Sequence, residues 1–467
     1  MNERFTPKES VILGIILVLF LAFMFTFVFM TQVLLWDEPV YLSNAYFHID
    51  KNYFQEDFRF PLLEYVIAGF WFFTGVSVFS AQLLMIAISV LTLFVYYLLS
   101  RRVLSNLFLR GLSLTFLAFS PVFLYWGFRI YTDVLSLLFL FLSLYFFFEY
   151  YDRTKKGVGW RADVLLFLSG LCTALAFLAK FPAAISSLLI VPYLLYQKRF
   201  RDFVFYGLGN FLVLSPWMLY NFFTYGNPVW DLFAQAKVIA SYTTFQPISL
   251  LFSFLLKNLG ASVFFFLFFL FFYVRDKKLR KSMGTSFMLV IALLSLLYYS
   301  FGVGLKLQRY QLMIFPFFLL LSFVGIEKTL LYLSPKKKIL FLTLVFTLSA
   351  FSLFSSLSEN TKFVSENYFS LENSSLAQSI EYAKTIPEGT VIISNTWTWY
   401  GYYGNHRARS VWDKNISLVL HDDKEAYLFI TDYDKGLVPE NLTFTGTHIQ
   451  TFSDSRNTTV QVFHVYK

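Results

Sequence analysis

The stretch "VILGIILVLFLAFMFTFVFMTQVLLWDEPVY", residues 11–41, is apolar until it turns to two adjacent carboxylates, Asp37 and Glu38. An apolar run of roughly twenty residues is long enough to cross about 30 Å of hydrocarbon as a helix. Val11 to Thr31 is too long for a signal-peptide core and has no small-residue cleavage site behind it, which predicts a retained span. Similar runs recur over the first three quarters of the 467 residues. With 57% hydrophobic residues, only 14% charged residues and a mean hydropathy of +0.58, the chain reads as an integral membrane protein. The strand alternation of a barrel is absent, so helices must carry the backbone across the bilayer.

A net charge of +9 raises the question of nucleic acid, and the location of the charge answers it. Basic residues gather in short loops: Arg4 and Lys8, Arg101 to Arg110, Arg153 to Arg161, Lys198 to Arg201, "RDKKLRK" at 275–281 and "KKK" at 336–338. They fall on alternate sides of successive runs, as cytoplasmic loops do under the positive-inside rule, so topology explains the charge. With the N-terminus inside, spans are expected near 11–31, 80–100, 110–128, 133–150, 162–179, 182–197, 203–222, 258–274, 285–303, 311–331 and 339–357. That makes about eleven. The apolar segment 61–75 is placed along the outer leaflet, because a crossing there would move every later basic loop outside. The single cysteine, Cys172, lies in an apolar run and forms no intrachain disulfide.

From about Ser358 the composition becomes that of an ordinary soluble protein. "LAQSIEYAKTIPEGTVIISN" reads as helix, turn and strand, and "EAYLFITDY" and "TVQVFHVY" alternate as strands do. The expected organisation is a helical membrane domain, residues 1–357, followed by an exterior α+β domain, residues 358–467. N-x-Ser/Thr acceptor patterns at Asn373, Asn415, Asn441 and Asn457 all fall in the second part, which supports an exterior tail; the expected setting is the plasma membrane, with the N-terminus cytoplasmic and the C-terminal domain extracellular. No P-loop or Gly-rich nucleotide fingerprint occurs, which argues against an enzyme using ATP or a nucleotide sugar on the inner face.

On this map the distinctive polar residues collect on the outer side. Asp37 and Glu38 lie at the exit of the first span, where a helix cap is the plain alternative. Asp133 lies at the mouth of another span, with Arg129 four residues before it, and the same alternative applies. Arg59, Lys180 and Arg309 stand on the outer rim of a chain that otherwise keeps its cations inside, although Arg59 would equally serve as a snorkelling anchor. Together they point to an anionic ligand. Carboxylates facing cations suit transfer chemistry on a phosphate-bearing lipid: a carboxylate deprotonates an acceptor hydroxyl or holds a metal, while Arg and Lys hold the leaving phosphate. Asp37, Asp133 and His48 are the candidate ligands for a divalent metal, whose involvement is an open question, and His48 alone reads as a surface residue.

Five motifs in order carry a resemblance: "WDEPVY" at 36–41, "FRFPLLEYVIAGFWFFTG" at 58–75, "FRIYTDVLSLLFLFLSLYFF" at 128–147, "FLAKFPAAISSLLIVPYLL" at 177–195 and "LVLSPWMLYNFFTYGNP" at 212–228. Over about residues 1–320 the chain resembles the family C membrane glycosyltransferases, with the dolichyl-phosphate-mannose protein mannosyltransferases and the lipid A aminoarabinose transferases as its nearest groups. The resemblance implies a helical bundle with juxtamembrane helices in the first outer loop. It also implies inverting transfer of a sugar from a polyprenyl-phosphate carrier to a protein, glycan or lipid acceptor. By position, Asp37 matches the first-loop acid that serves as base, with Glu38 as its partner, and Asp133 matches the second acid. Arg59 stands where the family has a Lys or Arg before Pro-Pro-Leu, although this chain has Phe60-Pro61 there. Arg309 would be a further phosphate ligand, beside Lys180 and Arg129. The aromatic segment "NTWTWYGYYGNHRARS", 395–410, offers Trp397, Trp399 and Tyr402 as an acceptor platform, or else an edge resting on the membrane surface. Another polyprenyl-lipid-processing enzyme and a multi-span transporter are the competing readings. Against the transporter, ionisable residues collect at one face rather than at the bilayer midplane.

Overall fold

The computed structural model describes residues 5–30, 34, 37–50, 55–56, 58–155, 159–242, 246–260, 262–366, 374–387, 389–411, 425–432, 445–455 and 457–466. Packing divides the chain differently from sequence order. One compact unit comprises Met1–Phe27, Leu83–Phe233 and Thr243–Ser365; the other comprises Val28–Gln82, Ala234–Tyr242 and Glu366–Lys467. The first loop therefore packs in the same unit as the C-terminal domain.

The first unit is helical. Seven helices among the described residues are long and apolar enough to cross a membrane, or eight if Ile248–Leu259 and Ser262–Arg275 together make one bent span. The expected count of about eleven is not reached among the described residues, and proline accounts for two of the missing spans. The expected span 110–128 is divided into Leu107–Ala118 and Pro121–Trp126, with Pro121 opening the second helix and the Ser120 hydroxyl accepting from the Phe123 N–H (3.3 Å). The expected span 182–197 is a 3-10 turn, Phe181–Ser186, followed by a ten-residue helix with Pro192 inside it. The expected span 339–357 lies within the helix Pro335–Glu366, several of whose side chains fall outside the described residues. Phe203, Leu208, Phe211, Leu212, Leu219 and Phe223 of the helix Phe200–Tyr225 are exposed. A continuous greasy face of this kind is at home against lipid.

Small residues let these helices approach closely. A Cβ on Gly170 would sit 2.1 Å from the Tyr206 carbonyl oxygen, and one on Gly209 2.1 Å from that of Phe167. Beside this crossing lies a buried hydroxyl cluster: Ser143 Oγ is 2.7 Å from Thr173 Oγ1, which also accepts from the Tyr206 hydroxyl at 2.9 Å. Small-residue contact reinforced by hydroxyl bonds is how helices associate where no hydrophobic effect drives them together. The basic loops also do more than orient the chain. Arg102 bridges Glu149 and Asp152, and the buried Glu9 takes Arg101 (3.2 Å) and Arg110 (2.9 Å), tying helix ends together.

In the second unit, helices Glu38–Phe47 and Leu62–Thr74 occupy the first loop. The latter has 13 residues, about 20 Å, which is too short to cross the bilayer. The C-terminal domain is a five-stranded sheet of order β2-β1-β3-β5-β4, with β1 Val391–Ser394, β2 Ala408–Ser410, β3 Glu425–Thr431, β4 Gly446–Ser453 and β5 Thr459–Tyr466. β1 runs parallel to β2 and β3, whereas β5 pairs antiparallel with β3 and β4. β1 is buried at every position, as a strand covered on both faces should be. One face packs Leu376, Ile380, Tyr400, Phe429 and Val462; the other packs Val391, Ile393, Leu428 and Val465. Asn373, Asn415 and Asn441 lie outside the described residues, while Asn457 sits in a left-handed turn at φ 59°.

Gly170→Ala is expected to cost about 1–3 kcal/mol through overpacking, read as a lower unfolding midpoint in detergent. Gly207→Ala, whose Cβ meets nothing within 4 Å, should leave the midpoint in place.

Candidate functional site

The carboxylates and cations fall into two clusters, one in each unit. In the second unit Asp37 occupies the N-cap position of helix Glu38–Phe47, yet its side chain makes no capping bond. Its carboxylate instead accepts from Arg59 Nη2 at 3.0 Å, so the cap alternative gives way to an ion pair. Glu38, the next residue, is fully buried. Arg59 Nε donates to Glu56 Oε2 at 2.7 Å, and the guanidinium lies 5.7 Å from the Tyr41 ring centroid and 5.3 Å from that of Phe58. Burial works against the charge on Arg59, but the Asp37 and Glu56 carboxylates outweigh it and hold its pKa well above the ordinary value.

Glu56 is tied down on every side. Its backbone N–H donates to Asn44 Oδ1 (2.8 Å), its carbonyl accepts from Asn44 Nδ2 (2.9 Å), and its Oε1 accepts from the Trp397 indole N–H (3.3 Å). Asn44 also donates to Glu64 (2.6 Å), and His48, stacked on Tyr65 with centroids 4.3 Å apart, brings Nε2 to 3.6 Å from the same carboxylate. His48 is thus part of a buried network. Glu56, Asn44 and Glu64 escaped the sequence reading, since an acid in "FQEDFRF" or an asparagine in "YLSNAY" carries no signal beyond that of a loop or helix residue.

The aromatic segment forms the helix Trp397–Gly404, which packs on Glu38–Phe47. Trp399 is buried in the core of the C-terminal domain, which makes it a packing residue rather than a face for a sugar. Tyr402 is partly exposed and stacks edge-on against Tyr403, with centroids 4.8 Å apart. Trp397 sits at the edge of that core and reaches Glu56.

In the first unit Asp133 lies one residue inside the helix Thr132–Lys155, buried, and pairs with the Lys180 ammonium. Lys180 stands in the extended link between Ala179 and the turn at Phe181, over the Tyr310 ring at 4.7 Å. Tyr310 stacks on Tyr299 at 4.8 Å. Arg309 lies 4.4 Å from the Tyr131 ring centroid and 5.9 Å from that of Trp126; Arg129 is buried against Tyr125 and Phe128. The structure therefore gathers Asp133, Lys180, Arg309 and their aromatic partners around the helix mouths, with Arg129 in the link that precedes Thr132. It adds a lysine that sequence reasoning missed. Lys306 is buried and donates to the carbonyls of Tyr299 (2.9 Å), Ser300 (2.8 Å) and Val303, closing the helix end that precedes Arg309. Burial lowers its pKa.

Among the described residues no three His, Cys, Asp or Glu side chains are placed to hold a metal ion, and Asp37 and Asp133 each carry a basic partner.

Residues 59–220 match the family model described as dolichyl-phosphate-mannose-protein mannosyltransferase. Among solved structures the chain is similar to ArnT from Cupriavidus metallidurans bound to undecaprenyl phosphate, with a TM-score of 0.66 and 10% identity, over 97% of this chain and 98% of that one. The apo form of ArnT gives a TM-score of 0.62 and 12% identity, over 96% and 97% of the two chains. The archaeal oligosaccharyltransferase AglB from Archaeoglobus fulgidus, in complex with an inhibitory peptide and a dolichol-phosphate, gives 0.55 and 12%, over 86% of this chain and 64% of that one. No curated protein matches the sequence. The fold is that of ArnT and is shared with AglB, and the family model over residues 59–220 agrees with the resemblance drawn from the five motifs.

Two outcomes follow from the buried acids. Lys180→Met strips Asp133 of its ammonium partner and is expected to cost about 3–5 kcal/mol, with Asp133→Asn in the same chain recovering part of it in detergent unfolding. Burial raises the Glu64 carboxyl above its ordinary 4.5, with the His48 and Asn44 bonds opposing that shift. A raised pKa in the folded state gives stability that is full below 4.5 and lost as pH rises through the raised value. Glu64→Gln should flatten that part of the pH–stability curve.

Proposed function

We propose that this protein is an inverting glycosyltransferase that moves a sugar from a polyprenyl-phosphate carrier to an acceptor hydroxyl on the outer face of the plasma membrane, with its N-terminus in the cytoplasm. The observation that carries the reading is the Asp37–Arg59 pair at the head of helix Glu38–Phe47, in a chain with this fold. Support comes from undecaprenyl phosphate bound to ArnT and dolichol-phosphate bound to AglB.

In the reaction, the acceptor oxygen attacks the anomeric carbon as the bond from that carbon to the phosphate oxygen breaks. The bonding pair leaves with the phosphate, and the acceptor proton passes to Asp37. The phosphate departs ionised, so it asks for cations rather than for a proton. Arg59 suits both needs. Before the donor arrives it pairs with Asp37; a phosphate competing for the same Nη edge would draw the guanidinium toward the leaving group. In the first unit Lys180, Arg129 and Arg309 are cations of the kind a lipid phosphate asks for, and Asp133 holds Lys180 in place.

The test is transfer from a radiolabelled polyprenyl-phosphate sugar by purified protein in detergent with a mixed acceptor pool. Asp37→Asn is expected to lower acceptor-dependent turnover by about 10²–10⁴-fold while the carrier still binds. Full turnover in Asp37→Asn would remove Asp37 as the base, and a wild-type chain that binds no carrier would remove the transferase reading.

A further inference from the structure

Resting on the donor reading above, we propose that the C-terminal domain completes the phosphate-binding arm, with Glu56 as a positioning residue that holds Arg59 and Trp397 as the contact through which the domain acts. An arginine has two hydrogen-bonding edges. Glu56 takes the Nε edge at 2.7 Å, leaving Nη2 for Asp37 at 3.0 Å or for an incoming phosphate. Arg59 can therefore exchange its outer partner without losing its place, provided that Glu56 itself stays fixed. Asn44 fixes the Glu56 backbone with a pair of bonds at 2.8 and 2.9 Å. Its carboxylate is fixed by sharing: Oε2 serves Arg59 and Oε1 serves the Trp397 indole at 3.3 Å. Trp397 opens a helix whose next turn, at Thr398, Trp399 and Tyr400, is buried in the C-terminal domain, so the indole is carried on a packed element rather than a loose loop. That domain is 341 residues away in sequence and would otherwise have no bearing on a phosphate.

The chemistry separates positioning from general damage. If Glu56 aims the guanidinium, its loss weakens recognition of the phosphate and leaves the lipid tail's contacts alone; if Glu56 merely supports the fold, phosphate-bearing and neutral lipids suffer together. The probes are polyprenyl phosphate and the uncharged polyprenol, titrated into full-length protein in detergent. Glu56→Gln, which keeps an acceptor oxygen and loses the charge, is expected to weaken polyprenyl phosphate roughly ten- to a hundredfold with polyprenol unchanged. Trp397→Phe keeps an aromatic ring but loses the N–H with the five-membered half of the indole, and is expected to weaken polyprenyl phosphate by about two- to tenfold. In the Glu56→Gln background, Trp397→Phe should add nothing, because both act through one carboxylate. Additive losses, an equal loss of polyprenol, or unchanged phosphate binding in Glu56→Gln would each overturn the inference while leaving the transferase reading standing. Wild-type protein that binds polyprenol and polyprenyl phosphate equally would overturn both.

Discussion

A backbone amide or carbonyl left without a partner in hydrocarbon costs several kcal/mol, so a chain of this composition breaks a helix only where something else supplies the missing bonds. Three breaks in the first unit show the rule at work. At Ser120-Pro121 the serine hydroxyl takes over an amide, and the proline has none to lose. At Lys180 the turn that follows closes through the Ala183 N–H to the lysine carbonyl at 2.9 Å. After Gly302 the ammonium of Lys306 collects three carbonyls. Lys180 lies within the second of these breaks and Arg309 just past the third, while Arg129 stands in the link that follows Trp126, one short helix beyond the first.

The second unit solves a different problem, that of holding an arginine among carboxylates without a rigid span to hang it on. It does so with short helices, one asparagine used at both ends of its amide, and a tryptophan borrowed from the far end of the chain. The ion pair between Asp37 and Arg59 is largely buried, with 14% of the arginine and 21% of the aspartate side chain exposed. Such a pair adds little to stability compared with what it does for the charge state and direction of the two groups.

Much of this was legible in the sequence for a physical reason. Cations that break the expected alternation of basic loops, such as Arg59 and Lys180, stand out in a single chain. The C-terminal strands were legible because alternation in "TVQVFHVY" has period two and a soluble sheet demands it. The span count was not, because apolarity records which residues avoid water and is silent on whether the helix continues; Pro121, Pro182 and Pro192 were the available warnings. Trp399 misled because a core and a binding platform use the same residues. Glu56 and Lys306 were invisible because their partners are an asparagine, an indole and three backbone carbonyls, none of which leaves a mark at a fixed spacing.

The Trp397 contact has a bearing on how the protein is made. Asn44 and Glu56 lie twelve residues apart and can meet as soon as the first loop leaves the ribosome and the translocation machinery. Their indole partner is not translated until 341 residues after Glu56, which at about 5–20 residues per second is a delay of roughly 20–70 s. Through that interval a nascent chain can hold its bundle while Glu56 and Arg59 wait for their last restraint. A chain terminated before the final domain never receives it.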